Sequence, residues 1–258
     1  METGVGMAAR NRSGFWKKVK WFFLRAVLVV VLVLFGLEFV NLQQREAKPV
    51  EGGGRAAQGA PFVTLDNLPE YSGRSFVVLY GNKPQFSEEF KAKENPYYSF
   101  TPLDALGRCG PAYGKLGPEF LPTKPRGPIG MVKPTGWQFS KYNEIDKKYL
   151  YNRCHLLAFQ LTGENANKRN LITGTRHFNV VGMLPFENRV ANYIRQTRKH
   201  VFYRVTPVFY GRELVARGVT MEALSADDGG RALHFHVFVY NVQPGIAINY
   251  ADGANHRQ

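Results

Sequence analysis

The sequence predicts a mixed α+β domain with a central antiparallel sheet, preceded by one N-terminal transmembrane helix. Three features predict this class: a long apolar run near the N-terminus, a basic segment with apolar residues at helical spacing, and two segments rich in β-branched and aromatic residues. The chain has 258 residues, of which 44% are hydrophobic and 21% are charged. It is therefore too apolar for a disordered polycation, although its formal net charge is +14.

The transmembrane helix is predicted over residues 21–41, where the sequence WFFLRAVLVVVLVLFGLEFVN is almost entirely apolar. About 20 such residues can cross a bilayer. The basic cluster before the run predicts that residues 1–20 lie in the cytoplasm and that the C-terminal domain lies outside the cell. Because no small-x-small cleavage site follows, we expect an uncleaved signal anchor in the cell membrane, with a cleaved and secreted form as the alternative.

A flexible linker is predicted over residues 42–61, which lack hydrophobic periodicity and include three consecutive glycines. Residues 62–258 are then expected to form one folded domain of ordinary size. The first 25 residues carry a net charge of +5, so +9 remains on the rest of the chain. An excess of this size favours partners that carry phosphate groups.

Inside the domain, residues 186–200 place apolar side chains at helical spacing and basic side chains on the other faces, which predicts an amphipathic helix. Residues 200–210 and 233–242 predict two strands, and the Asp-Asp-Gly-Gly sequence at 227–230 predicts a turn between them. Residues 111–137 are rich in Gly and Pro, so we expect mainly loop there.

Polar side chains are concentrated between residues 151 and 187. Those suited to proton transfer or metal binding are His155, Asn170, Asn179 and Glu187, and the basic ones beside them are Arg153, Lys168, Arg169 and Arg176. A neutral imidazole, with a pKa near about 6.5, can take a proton from water. Two cysteines are too few for a four-thiolate zinc site, so oxygen or imidazole must hold any metal, and magnesium needs few protein ligands. The segment favours hydrolysis of phosphate esters.

Two motifs in this segment carry a resemblance to a known family. The tetrad Asn-Arg-Cys-His at 152–155, followed by Asn-Leu-Ile-Thr-Gly-Thr at 170–175 and then Asn179, resembles the ββα-metal (His-Me finger) family of DNA/RNA non-specific endonucleases. The similarity is closest to the streptodornase-like branch and to membrane-bound nucleases of DNA uptake, and it spans roughly residues 103–249. It implies a nuclease fold in which two strands and a helix surround the site.

The resemblance also implies roles for individual residues. His155 corresponds to the general base at the end of the first strand, and Asn179 to the helix residue that binds Mg²⁺, with Mn²⁺ as an alternative ion. Glu187 resembles the acid that orients the metal's water ligands, and Asn170 a supporting amide. Arg153 is expected near the phosphate. Arg176, Lys168 and Arg169 are expected to bind the substrate.

This chain departs from the family's Asp-Arg-Gly-His tetrad at two positions, with Asn152 in the first place and Cys154 in the third. Asn152 removes a negative charge near the expected metal but keeps a side-chain oxygen. Cys154 is either a bystander or a disulfide partner of Cys109, which an extracellular location would permit.

The sequence therefore predicts a membrane-anchored, magnesium-dependent endonuclease that cuts DNA, and also RNA, outside the cell. Because loop arginines and lysines contact phosphates rather than base edges, little sequence preference is expected. An inactive surface receptor that captures DNA for uptake is the main alternative, favoured by the two departures. A phosphatase of small molecules is a third possibility, but it leaves the broad positive charge unexplained. No inhibitor protein is indicated by the sequence.

Overall fold

A six-stranded antiparallel sheet is the centre of the fold in the computed structural model, which describes residues 68–258. Its strands are β1 (Phe76–Val78), β2 (Tyr97–Phe100), β3 (Ala112–Leu116), β6 (Val201–Val208), β7 (Gly218–Ser225) and β8 (His234–Tyr240). They lie in the order β1-β8-β7-β6-β3-β2, and every neighbouring pair is antiparallel. The predicted α+β class with a central antiparallel sheet is confirmed.

Two inner strands of the sheet were not predicted from the sequence. Residues 111–137 are mainly loop, as expected, but they also contain β3, which pairs with both β2 and β6 inside the sheet. The turn at 227–230 joins β8 to β7, a strand that the sequence patterns did not predict. All but one residue of β7 are buried, so it lacks the alternation of apolar and polar side chains that identifies a half-exposed strand.

Two smaller antiparallel pairs and three helices complete the described chain. The pairs are β4 (Tyr151–His155) with β5 (Leu171–Thr175), and β9 (Ile246–Ile248) with β10 (Asn255–Arg257). The helices are α1 (Glu88–Lys91), α2 (Phe159–Thr162) and α3 (Leu184–Thr197). Short 3₁₀ turns lie at Tyr80–Asn82 and Pro118–Phe120, and a π-helical turn at Phe178–Met183 precedes α3 directly.

Helix α3 packs against one face of the sheet through its apolar stripe. Phe186, Val190 and Ile194 are buried, and the Phe186 ring lies 5.1 Å from that of Phe235 on β8. The predicted basic amphipathic helix is thus confirmed, although it ends at Thr197 because Arg198 adopts a left-handed backbone conformation (φ 59°). This packing anchors the C-terminal side of the β4–β5 unit to the core.

The N-terminal predictions fall outside the described residues. The expected cytoplasmic segment 1–20, the membrane helix 21–41 and the linker 42–61 all precede residue 68. Within residues 68–258, no helix is both long enough and apolar enough to cross a bilayer.

Candidate active site

A cleft of about 960 Å³ opens beside the β4–β5 pair and the start of α3. Its wall includes most of the chemically active residues singled out in the sequence, namely Asn152, Arg153, His155, Arg176, Asn179 and Glu187. Residues that are 35 positions apart in the sequence are therefore brought to one surface. Three elements do this: β4 contributes His155, the π-helical turn contributes Asn179, and α3 contributes Glu187.

The β4–β5 pair is held in a fixed register in which His155 lies opposite Leu171 and Asn152 opposite Gly174. Gly174 is required because a Cβ atom there would lie 2.4 Å from the Phe178 ring and 2.6 Å from the Cys154 sulfur. The absence of a side chain lets the π-helical turn approach the hairpin closely. Asn179 follows Phe178 directly, so this contact sets the position of its amide.

His155 is buried, with 6% of its surface exposed, and its two ring nitrogens have different partners. Nε2 lies 2.8 Å from the Asn165 carbonyl oxygen, which can only accept a hydrogen bond. Nδ1 lies 3.3 Å from Nη2 of Arg126, which can only donate. Both partners select the same neutral tautomer, with the proton on Nε2 and the lone pair of Nδ1 directed to Arg126.

Burial, together with the charge of Arg126, lowers the pKa of His155 to about 4. A buried imidazolium loses hydration and gains repulsion from the guanidinium. The ring is therefore neutral at neutral pH, the form in which Nδ1 can accept a proton.

Arg126 was missed in the sequence. It lies in the Gly- and Pro-rich loop before β4, 29 positions from His155, and no local pattern marks it as different from the other basic residues. Its charge also lowers the pKa of Glu187. Only the folding of the loop onto the cleft identifies it as a site residue.

Asn179 and Glu187 line the cleft with side chains that form no hydrogen bond to any described residue. Among residues 68–258, neither the Asn179 amide nor the Glu187 carboxyl has a hydrogen-bond or ion-pair partner. Burial raises the pKa of Glu187 to about 8, partly offset by Arg126. A buried carboxyl without a partner is costly, and a nearby cation is a usual means of stabilising it.

This donor set fits a hard divalent cation with few protein ligands. No group of three or more His, Cys, Asp or Glu residues that could hold a metal occurs in the described part of the chain, so a site built only from such ligands is excluded there. An amide oxygen and a carboxyl oxygen in a wet cleft suit magnesium or manganese, which retain several water ligands.

Arg153 organises the wall of the cleft. Its guanidinium donates to the carbonyl oxygens of Val132 and, at 2.8 Å, of Gly130, and it lies 4.0 Å from the centre of the Trp137 ring. Arg176 forms an ion pair with Asp146 at 2.6 Å on the rim. Both arginines line the cleft, but each already has protein partners.

The structure does not bring Asn170, Lys168 and Arg169 into the cleft wall. Asn170 is fully buried, and its amide accepts from Leu157 N at 2.8 Å and donates to Leu157 O at 3.0 Å. It thereby closes the turn that follows His155. Lys168 and Arg169 are exposed on the preceding loop, outside the lining.

The two cysteines are free and buried, so the alternative of a Cys109–Cys154 disulfide is not realised. Cys109 directs its thiol to the carbonyl oxygens of Lys168 and Leu171, and burial raises its pKa to about 12. Burial also raises the pKa of the Cys154 thiol. Both thiols are therefore packing groups beside the hairpin.

Positive charge dominates the cleft. Its lining contains five basic side chains, Arg126, Lys133, Lys147, Arg153 and Arg176, and a single acidic one, Glu187. The raised pKa of Glu187 leaves it largely protonated at neutral pH when no cation is bound. Such a surface attracts polyanions.

Comparisons with known proteins identify the family to which the chain belongs. Residues 87–227 match the family described as DNA/RNA non-specific endonuclease. A deoxyribonuclease from Streptococcus dysgalactiae subsp. equisimilis is 37% identical over 118 residues, which are 44% of this chain and 34% of that protein. The aligned part thus spans about a third of that relative's length.

Solved structures give the same result for the fold. NucA from Streptococcus agalactiae with a magnesium ion bound superposes with a TM-score of 0.65 and 25% identity, covering 76% of this chain and 92% of NucA. Sda1 nuclease with a bound zinc ion gives a TM-score of 0.53 and 28% identity, covering 63% and 82% of the two chains. Because the family match covers more than half of its residues, the chain belongs to the DNA/RNA non-specific endonuclease family.

Proposed function

We propose that this protein is a membrane-anchored endonuclease that faces the outside of the cell and hydrolyses DNA, and also RNA, with little sequence preference and with magnesium or manganese as its metal. One observation carries the proposal. The same basic cleft contains a neutral imidazole whose Nδ1 accepts only from Arg126 and, in the same cleft wall, an amide and a carboxyl without partners among the described residues.

His155 is the proposed general base. Its Nε2 is held by the Asn165 carbonyl, so Nδ1 is the atom that accepts a proton from water as the water oxygen attacks phosphorus. The bond from phosphorus to the 3′ oxygen breaks, and that oxygen takes a proton from solvent. The products carry 5′-phosphate and 3′-hydroxyl ends.

Arg126 is the proposed phosphate ligand next to the base. Its guanidinium donates to Nδ1 when no substrate is present. A phosphate oxygen is a stronger acceptor than a neutral imidazole nitrogen. Substrate binding therefore draws the guanidinium to the phosphate and frees Nδ1 for water.

Asn179 and Glu187 are the residues proposed to hold the divalent cation, directly through the amide oxygen and through bound water at the carboxyl. When bound, such a cation neutralises charge that develops on the phosphate and on the 3′ oxygen. A magnesium-bound structure of NucA, which shares this fold, supports the choice of ion. Asn152 near this position keeps the local protein charge low.

Arg153 and Asn170 are proposed positioning residues rather than groups that touch the reacting atoms. Arg153 holds the loop at Gly130–Val132 and the Trp137 ring, and Asn170 holds the turn after His155. Arg176 and Lys147 on the cleft wall are proposed to bind flanking phosphates. Lys168 and Arg169, on the exposed loop, are proposed to reach phosphates farther along the strand.

The test uses the full-length chain on supercoiled plasmid in magnesium. We expect nicked and then linear DNA, and similar degradation of a structured RNA. His155→Ala and Asn179→Ala lower the rate by at least about 100-fold, whereas His256→Ala, an exposed histidine on β10, cuts at the parent rate. Protease accessibility of the domain on intact cells, with the chain in the membrane fraction, tests the anchor at residues 21–41.

Three results would each contradict part of the proposal. A His155→Ala variant that cuts as fast as the parent removes the base from the mechanism. DNA binding that persists in EDTA, with no cleavage under any divalent cation, favours the alternative function of a DNA-capturing receptor. Recovery of the soluble domain alone from the medium favours the secreted form.

A further inference from the structure

Two exposed aromatic rings line the cleft. Phe139 is 73% exposed and Tyr149 is 43% exposed, and both line the cleft. Their ring centres are 5.5 Å apart with planes at 68°. Single exposed apolar residues are common on protein surfaces. Two adjacent aromatic rings in a cleft form a larger apolar patch, whose exposure to water is unfavourable and which is typical of a ligand-binding surface.

Backbone hydrogen bonds hold the two ring-bearing segments together just before the strand that carries His155. Leu150 N donates to Ser140 O at 3.0 Å, and Tyr149 pairs with Lys141 in an antiparallel bridge just before β4. Tyr149, Arg153 and His155 are separated by even numbers of positions and all face the cleft. At about 3.3 Å per residue, Tyr149 lies no more than about 20 Å from His155, a span of several nucleotides.

Cations accompany the rings. The Lys141 ammonium lies 4.8 Å from the centre of the Tyr149 ring and 5.4 Å from that of Phe139. Lys147 lines the same cleft. A nucleotide whose base stacks on a ring would bring its phosphate next to these ammonium groups, which is the combination that binds single-stranded nucleic acids without reading sequence.

We propose that Phe139 and Tyr149 form a stacking subsite for unpaired nucleobases beside the active site, and that this subsite makes the protein prefer single-stranded or locally opened nucleic acid over intact duplex. The inference rests on the proposed function, since it names the form of substrate that the cleft takes. In a duplex the bases are stacked on each other, so the rings would meet only the sugar-phosphate backbone.

The experiment measures binding without cleavage. Full-length protein in EDTA is titrated into a fluorescent single-stranded oligonucleotide, the matching duplex, and a strand of the same length with abasic sites throughout its centre, and anisotropy gives each Kd. We expect Phe139→Ala/Tyr149→Ala to weaken binding to the single strand at least about fivefold and to leave the duplex and the abasic strand within about twofold of the parent.

Matched variants separate stacking from folding. Tyr210→Ala removes a ring that is 61% exposed but lies outside the cleft lining, and it should bind like the parent. Tyr149→Phe keeps the ring and should also bind like the parent. Phe139→Leu keeps apolar packing on Tyr149 but removes the aromatic face, so it should show a loss on the single strand alone.

Parent-like binding of the single strand by the Phe139→Ala/Tyr149→Ala variant would overturn the subsite, and so would an equal loss on the abasic strand. Either result could occur in a protein that still nicks plasmid normally, which would leave the proposed function standing. Conversely, selective loss of single-strand binding in a protein that never cleaves would support the subsite and contradict the nuclease activity.

Discussion

At the residue scale, two ionisable groups in the cleft are shifted in opposite directions by the same cause. Burial lowers the pKa of His155 to about 4 and raises that of Glu187 to about 8, because in each case the low-dielectric surroundings disfavour the charged form. Perturbed groups that share a cleft are typical of catalytic sites. The practical result is an imidazole that remains unprotonated at neutral pH.

The depressed pKa of His155 predicts a pH-dependent contribution to stability. Between about pH 4 and about pH 6.5 the unfolded state binds a proton at this position and the folded state does not, so the free energy of unfolding falls as the pH is lowered through this window. His155→Gln abolishes the effect. Between about pH 7 and about pH 4.5, we expect the unfolding free energy of the parent to fall by up to about 3 kcal/mol more than that of the variant.

Urea denaturation in EDTA at the two pH values measures this difference. His256→Gln, at an exposed position, is the control and should differ from the parent by the same amount at both. If the His155→Gln difference is also the same at both, the imidazole is not buried in its neutral form.

At the element scale, the site depends on how closely the π-helical turn approaches the β4–β5 pair. The turn carries its hydrogen bond from Leu184 N to Asn179 O, one residue wider than in an α-helix. Such turns occur frequently at functional sites. Here the wide turn precedes α3 directly, and Asn179 enters the cleft wall while Phe178 stays fully buried against Gly174.

Gly174→Ala tests this contact. The new methyl group would overlap the Phe178 ring and the Cys154 sulfur, so we expect a loss of about 1–3 kcal/mol in unfolding free energy together with reduced activity, since Asn179 shifts with the turn. Gly130→Ala is the matched control because a Cβ atom at that position would meet no other atom within 4 Å and its φ is ordinary. It should change stability by less than about 0.5 kcal/mol. Equal effects of the two substitutions would contradict the close-packing argument.

At the scale of the whole molecule, the cleft that contains His155, Asn179 and Glu187 also carries an excess of positive charge, which attracts polyanions. Five basic residues line it, and its one acid is largely protonated when no cation is bound. Contacts of this kind act on phosphates and are weakened by salt, because binding releases counterions from the nucleic acid. They supply affinity without sequence preference.

The number of basic residues in the cleft lining predicts how strongly salt weakens DNA binding. If all five basic residues contact phosphates, the slope of log K against log salt concentration is about −4 to −5, and the Lys133→Ala/Lys147→Ala variant reduces its size by about 2. Anisotropy titrations in EDTA at several salt concentrations measure the slope. Lys199→Ala, exposed and outside the cleft lining, should leave it unchanged, and a parent slope near zero would refute an electrostatic cleft.

The sequence by itself determined the fold class, the helix that begins before Phe186 and two of the sheet strands, because these follow from hydrophobic periodicity and turn sequences. Its resemblance to a nuclease family named His155, Asn179 and Glu187 as candidates, and the structure places all three in one cleft wall. Only the tertiary structure decided that Arg126 meets His155, that Asn170 supports a turn while Lys168 and Arg169 stay outside the cleft, and that β3 and β7 complete the sheet. Burial and long-range contact create these relations, and neither is encoded in the residues next to each position.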